Sequence, residues 1–205
     1  RRVLFRSTGK DLEKYEASFF DVFDTQTQII GYASSKEQFS EQMSLIKDKF
    51  QYYNDLYDIY HDYEGMNNIK TINDNAGIQP VKVDEEIIEL LKLGITMDEK
   101  TDGNMNIAMG SVLSIWHDYR EAGSEDPYSA ELPPMDELER AAEHTDIHNI
   151  VIDEEESTVY LTDPDMSLDV GSIGKGYAVQ KVAEYAKNEL GIRYMLFSVG
   201  GNVCA

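Results

Sequence analysis

Apolar and polar residues alternate along this chain with two different periods, and the changes of period divide it into elements. From Ala17 to Tyr32, β-branched and aromatic residues interleave with polar ones as in a strand pair or one long strand, with Phe23-Asp24-Thr25 near its centre. Phe39, Met43, Ile46, Phe50 and Tyr53 then recur at spacings of three and four, which predicts an amphipathic helix from Ser35 to Leu56. The tyrosines at and after its end (Tyr52, Tyr53, Tyr57, Tyr60, Tyr63) read as half-buried packing, and Tyr60 is also suited to stack on a planar ligand. Asn67 to Gly77 predicts a polar loop in which Asn side chains cap turns. Asp84 is an N-cap for a helix with Glu85 and Glu86 in its first turn and Ile87, Ile88, Leu91 and Ile95 on one face, ending before Thr101. Gly103 and Gly110 bracket a short extended piece whose Asn104 and Asn106 both donate and accept. An apolar-periodic stretch follows (Val112, Ile115, Trp116, Tyr119), then a polar loop from Gly123 to Pro134 and a short helix from Met135 to His144. Asn149–Asp153 and Thr158–Thr162 predict a hairpin.

The stretch Met166–Tyr177 carries the strongest chemical signal. An apolar run ends at Asp169 and Val170, three glycines follow (Gly171, Gly174, Gly176), and a helical pattern runs to Leu190 with Gly191 as its C-cap. Arg193–Val199 is a second apolar strand, so Leu168–Val199 predicts a strand-helix-strand unit. Glycines let backbone N–H groups approach an anion, the helix start adds roughly half a positive charge, and Lys175 adds a full one. The spacing is neither that of a nucleoside-triphosphate P-loop nor G-x-G-x-x-G. Taken alone, it fits a strand-to-helix turn with a solvated lysine as well as it fits an anion site.

Composition narrows the partners. A net charge of −21, with 39 acidic against 18 basic residues, argues against nucleic acid and against an anionic membrane face as main partners. It leaves a phosphate ligand open, because charges more than about 8–10 Å away are largely screened at physiological salt. Cys204 is the single cysteine, so no internal disulfide forms. No run approaches the roughly 18 apolar residues of a membrane span. His144 and His148 lack metal-ligand spacing and read as surface or capping residues. Arg1–Ser7 match the in-frame translation of a common sequencing adapter, there is no initiating Met, and the chain stops just after Gly200-Gly201. The expectation is an artefact or disordered tail over residues 1–16, then one α+β domain over 17–205, with a mixed sheet, packed helices and a truncated C-terminus.

In this order the chain resembles the ApbE family, the FAD:protein FMN transferases. Phe23-Asp-Thr25 stands where the family has Met-Gly-Thr, and Tyr60 with the loop ending at Asn73 resembles its tyrosine and Ser-x-x-x-x-Asn region. Thr101-Asp-Gly-Asn-Met-Asn-Ile-Ala-Met-Gly110 with Trp116 resembles its Asp-Gly-x-Phe-Asp segment. Asp169-Val-Gly-Ser-Ile-Gly-Lys-Gly-Tyr177 with Ser198-Val-Gly-Gly201 resembles its Asp-x-Gly-x-x-x-Lys-Gly-Tyr and Gly-Gly motifs. The resemblance implies that Phe23, Tyr60, Asn104, Met105, Asn106, Asp169 and Lys175 contact FAD and that Ser172 gives an oxygen to Mg²⁺. It implies an ApbE-like fold and Mg²⁺-dependent transfer of FMN from FAD to a Thr or Ser hydroxyl of a target flavoprotein, with release of AMP. The acceptors it implies are flavoprotein subunits of membrane redox complexes, met outside the cytoplasm by an enzyme often exported as a lipoprotein, so any membrane attachment would be a lipid anchor lost with the N-terminus. It names no catalytic residue here. The remaining metal ligands, an Asp and a Thr four residues apart, are expected beyond Ala205, and the 205 residues are not expected to be active alone. Asn106 replaces the commoner Asp, turning a charge-assisted bond into a neutral one about half as strong, and Phe23 replaces Met. FAD hydrolysis to FMN and AMP, or flavin binding without turnover, are the alternatives.

Overall fold

The alternating stretch near the N-terminus folds into a hairpin of β1 (Glu13–Val22) and β2 (Thr25–Ala33), in a computed structural model that describes residues 12–205. Its register runs from Glu13 opposite Ala33 to Val22 opposite Thr25, with an irregularity between Phe19 and Val22. Residues 13–16 are therefore strand, not tail, and residues 1–11 of the expected tail lie outside the described residues. β2 also pairs with β6 (Met195–Val199), and β6 with β7 (Asn202–Cys204), giving the order β1-β2-β6-β7. Thr27, Ile29 and Ala33 of β2 point inward in strand alternation. Gly31 continues that row, where a Cβ would stand 3.1 Å from the Phe39 ring.

The helix α1 (Lys36–Leu56) covers this sheet with the predicted seam of Phe39, Met43, Ile46, Phe50 and Tyr53, all buried. Phe50 meets Phe19 and Phe197 with ring centroids 6.2 and 6.0 Å apart. A fully buried side chain of this kind contributes about 1.5–3 kcal/mol. The helix α6 (Gly174–Asn188) buries Ala178, Val179, Val182 and Ala186, and the chain leaves it through Gly191 at φ +67°. Residues 12–54 and 175–205 form one compact unit.

Residues 55–174 form a second compact unit. It holds α2 (Ile69–Asp74), β3 (Val81–Lys82), α3 (Glu85–Lys100), α4 (Gly110–Glu125), α5 (Met135–Ala142), β4 (Ile150–Asp153) and β5 (Thr158–Leu161). The predicted hairpin is β4–β5, and β3 completes a sheet of order β3-β5-β4. Asp84 caps α3 as expected, accepting from the Glu86 N–H at 3.0 Å.

Four expectations give way here. The polar loop 67–77 contains α2, because Asn68 and Thr71 form a reciprocal capping box that satisfies its first N–H groups. Asn104–Met109 is a run of turns, not an extended piece, since Asn106 Oδ1 draws back the Ala108 N–H at 2.7 Å. Leu168–Val170 is not a strand: the Leu168 N–H donates to Asn73 Oδ1 (2.7 Å) and its carbonyl accepts from Asn73 Nδ2 (3.0 Å), so a side chain occupies the groups a neighbouring strand would use. The strand-helix-strand unit and the mixed sheet go with it; the fold is α+β, but the described strands pair only antiparallel.

Candidate functional site

Within the unit 55–174 lies a cleft of about 880 Å³. The helix α4 supplies one wall. Leu113, Trp116, His117 and Arg120 fall at i, i+3, i+4 and i+7, so helical geometry puts them on one face, and all four line the cleft. Tyr60 comes from the segment after α1, Asn73 from α2, and Ser167, Leu168 and Asp169 from the chain before α6.

Tyr60 is held by its backbone. Its N–H donates to Asp58 Oδ1 at 2.6 Å, while the Tyr63 hydroxyl (2.7 Å) and the His61 ring (2.9 Å) bond to Asp58 Oδ2. Burial pushes the Asp58 carboxyl up, but these bonds to its charged form outweigh it and hold the group below the usual carboxylate range. The exposed ring of Tyr60 lies 5.1 Å from the His117 ring at 30°. Arg120 Nη2 lies 2.6 Å from His117 Nδ1, and since a guanidinium has nothing to accept with, the arginine is the donor.

The segment carrying Asp169 is fixed from two sides. Asn73 grips Leu168; on the other flank the Gly110 N–H donates to Ser167 O (3.0 Å) and the Asp169 N–H to Ile107 O (2.9 Å). A Cβ on Gly110 would stand 2.6 Å from Ser167 O, so the approach requires glycine. Asp169 Oδ1 accepts the Gly171 N–H at 2.8 Å, and Val170 O accepts from Ile173 and Gly174, turning the chain into α6.

The expected ligand residues divide between the two units. Tyr60 and Asp169 line the cleft. Asn104, Met105 and Asn106 sit on the turns between α3 and α4 and are not among the lining residues. Asn104 is exposed and donates to Thr101 O; the Asn106 carboxamide is engaged at both ends, by Thr145 O (2.8 Å) and the Ala108 N–H. Phe23 and Lys175 belong to the other unit. Phe23 turns the β1–β2 hairpin at φ +53°, followed by Asp24 at +48°, and its N–H donates to Asn54 Oδ1 at 2.7 Å. Left-handed backbone at a bulky residue costs about 1–3 kcal/mol, which the hairpin and Asn54 sustain. In the same unit Gly200 closes against Thr25, its N–H donating to Gln26 O at 3.1 Å, so the Phe23–Thr25 and Ser198–Gly201 stretches share one end of the sheet. Lys175 is half-buried in the first turn of α6, beside Gly176, whose Cβ position is 3.3 Å from Asn202 Oδ1.

Ser172 is exposed on the turn before α6. Ser172 offers one hydroxyl and Asp169, three residues earlier, a carboxylate; Mg²⁺ takes a few oxygens of this kind from protein, with phosphates and water completing its octahedron. Among the described residues the one group of three close His, Cys, Asp or Glu side chains is His144, Asp163 and Asp165, which includes neither. His144, expected as a surface or capping residue, instead bonds Asp163 through Nδ1 at 2.9 Å and ties the end of α5 to the turn at 163–165. That bond raises the His144 pKa above its ordinary value and lowers that of Asp163.

His117, Arg120 and the double grip of Asn73 were not anticipated from sequence. A helical reading of 113–120 would have put the first two beside Trp116, whereas the Asn73–Leu168 pairing spans 95 residues and leaves no local trace.

The model of the ApbE family matches residues 23–205. The FAD:protein FMN transferase of Klebsiella pneumoniae (strain 342) is 25% identical over 182 residues, covering 89% of this chain and 55% of that protein. The protein of the same name from Escherichia coli (strain K12) is 24% identical over 159 residues, 76% of this chain and 44% of its own length. The crystal structure of the ApbE protein of Thermotoga maritima superposes with a TM-score of 0.73 at 24% identity, over 92% of this chain and 57% of that one. The flavin transferase ApbE of Vibrio cholerae gives 0.74 at 19%, over 93% and 58%. At these identities the structural likeness speaks for the fold, and the chain spans about half the length of the curated relatives it matches. With the family's pattern running from Phe23 to Ala205 on an ApbE-like α+β fold, this chain belongs to the ApbE family.

Proposed function

We propose that the protein carrying this chain transfers FMN from FAD to a Thr or Ser hydroxyl of a target flavoprotein, releasing AMP. The observation that carries this reading is the family match over residues 23–205, together with a cleft that presents the aromatic ring of Tyr60 and the carboxylate of Asp169. An aromatic wall suits a flavin or adenine ring. Phe23, Asn104, Met105, Asn106 and Lys175 are proposed as further FAD contacts, Lys175 through its charge on the diphosphate. In the reaction the acceptor oxygen bonds to the FMN-side phosphorus, the bridging oxygen leaves with AMP, and the hydroxyl proton passes to a base. Magnesium belongs to the reading of the whole protein, with Ser172 as one of its oxygens; the described residues do not complete its shell and no step here runs through it.

The proposed acceptors are flavoprotein subunits of membrane redox complexes, met outside the cytoplasm by a lipid-anchored form of the protein. No helix among the described residues is long and apolar enough to cross a membrane. The test is incubation with FAD, Mg²⁺ and a purified acceptor subunit, followed by intact-mass spectrometry of the acceptor. A mass gain equal to one FMN less the elements of water, absent after the acceptor hydroxyl is removed, supports transfer. Free FMN with an unmodified acceptor would mean hydrolysis instead, and FAD that binds stoichiometrically and stays intact would mean binding alone.

A further inference from the structure

On the flavin reading of the cleft, a diphosphate must enter a pocket whose wall carries three carboxylates, Asp118, Glu131 and Asp169. Arg120 is the one Lys or Arg among the described lining residues. In a chain with 39 acids and 18 bases, an exposed arginine on a helix that also bears Asp118, Glu121 and Glu125 has carboxylates at hand, yet among the described residues Arg120 forms no ion pair. Its guanidinium instead donates to the ring of His117, at 2.6 Å, and that ring lies over Tyr60. An imidazole nitrogen orients the guanidinium without setting a negative charge against it, so its remaining donors keep their attraction for an anion.

We propose that Arg120, oriented by His117, is the specificity-determining cation of this cleft and selects the diphosphate of a dinucleotide flavin over the same ring system without phosphate. The proposal rests on the flavin reading and adds to it a residue outside the motifs that carry the family resemblance. Fluorescence titration of the 205-residue chain with FAD and with riboflavin tests it, on the wild type and on Arg120→Ala, Arg120→Lys and His117→Ala, with thermal melts to verify folding. Arg120→Ala should weaken FAD about tenfold or more and leave riboflavin within about twofold. Arg120→Lys, which restores the charge without the planar fork, should recover part of the loss, and His117→Ala should lie between. Unchanged FAD affinity in Arg120→Ala, or equal losses for FAD and riboflavin, would overturn the role of Arg120 while leaving the flavin reading standing. A wild type that binds neither flavin would overturn both.

Discussion

Asn106 shows how much a single side chain settles. Its carboxamide donates to Thr145 O and accepts from the Ala108 N–H, two roles that an ionised carboxylate cannot fill at once. Aspartate, the residue more common at this place in the family motif, would put a carboxylate oxygen against the Thr145 carbonyl. Asn106→Asp should therefore cost about 1–3 kcal/mol of stability, read as a lowered midpoint in urea or heat; a variant as stable as the wild type would show that the bond to Thr145 contributes nothing. The sequence shows that Asn106 is polar and near a glycine, and from that its hydrogen-bonding capacity was legible. Its partner, 39 residues away, was not. Phe23 was legible as a ligand candidate but not as a strained turn residue, because hairpins usually place Asn or Gly where φ is positive.

Elements with a strong internal period were the easiest to read. The seams of α1 and α3, the β4–β5 hairpin and the Asp84 cap all follow from local pattern, since each buries or satisfies its own groups. The segment 166–170 was misread as a strand because an apolar run looks the same whether its backbone pairs with a strand or with Asn73, Ile107 and Gly110. Its fixation makes a prediction. Gly110→Ala must push Ser167 away, and overpacking of this kind costs about 1–3 kcal/mol. Because Ser167 and Asp169 share that segment, the variant should also bind FAD more weakly than its loss of stability explains; full affinity in a folded variant would mean that the segment is not part of the binding wall.

The tie between α5 and the turn at 163–165 gives another prediction at this scale. His144 has its pKa raised from 6.5 by Asp163, so its contribution is fully present below pH 6.5 and is lost as pH rises through the raised value. Asp163 is lowered from 3.8, so its contribution is present above pH 3.8 and is lost as pH falls through the lowered value. The pair is strongest between those limits. His144→Ala should accordingly destabilise the protein more at about pH 5.5 than at about pH 9, in melts at constant ionic strength; an equal loss at both would leave the ion pair without energetic weight.

At the scale of the whole molecule, the net charge of −21 argues against nucleic acid as a main partner, and the glycine-rich stretch with Lys175 suits an anion. What could not be read was the division into two units, because residues 55–174 enter and leave through the ends of α1 and α6, where no linker composition marks the change. The central claim is that the cleft walled by Tyr60, α4 and Asp169 receives the flavin dinucleotide. A crystal structure of the protein grown with saturating FAD tests it most directly. The prediction is ligand density inside the cleft, with one ring system of FAD in van der Waals contact with Tyr60; FAD bound elsewhere, with the cleft holding only solvent, would contradict it.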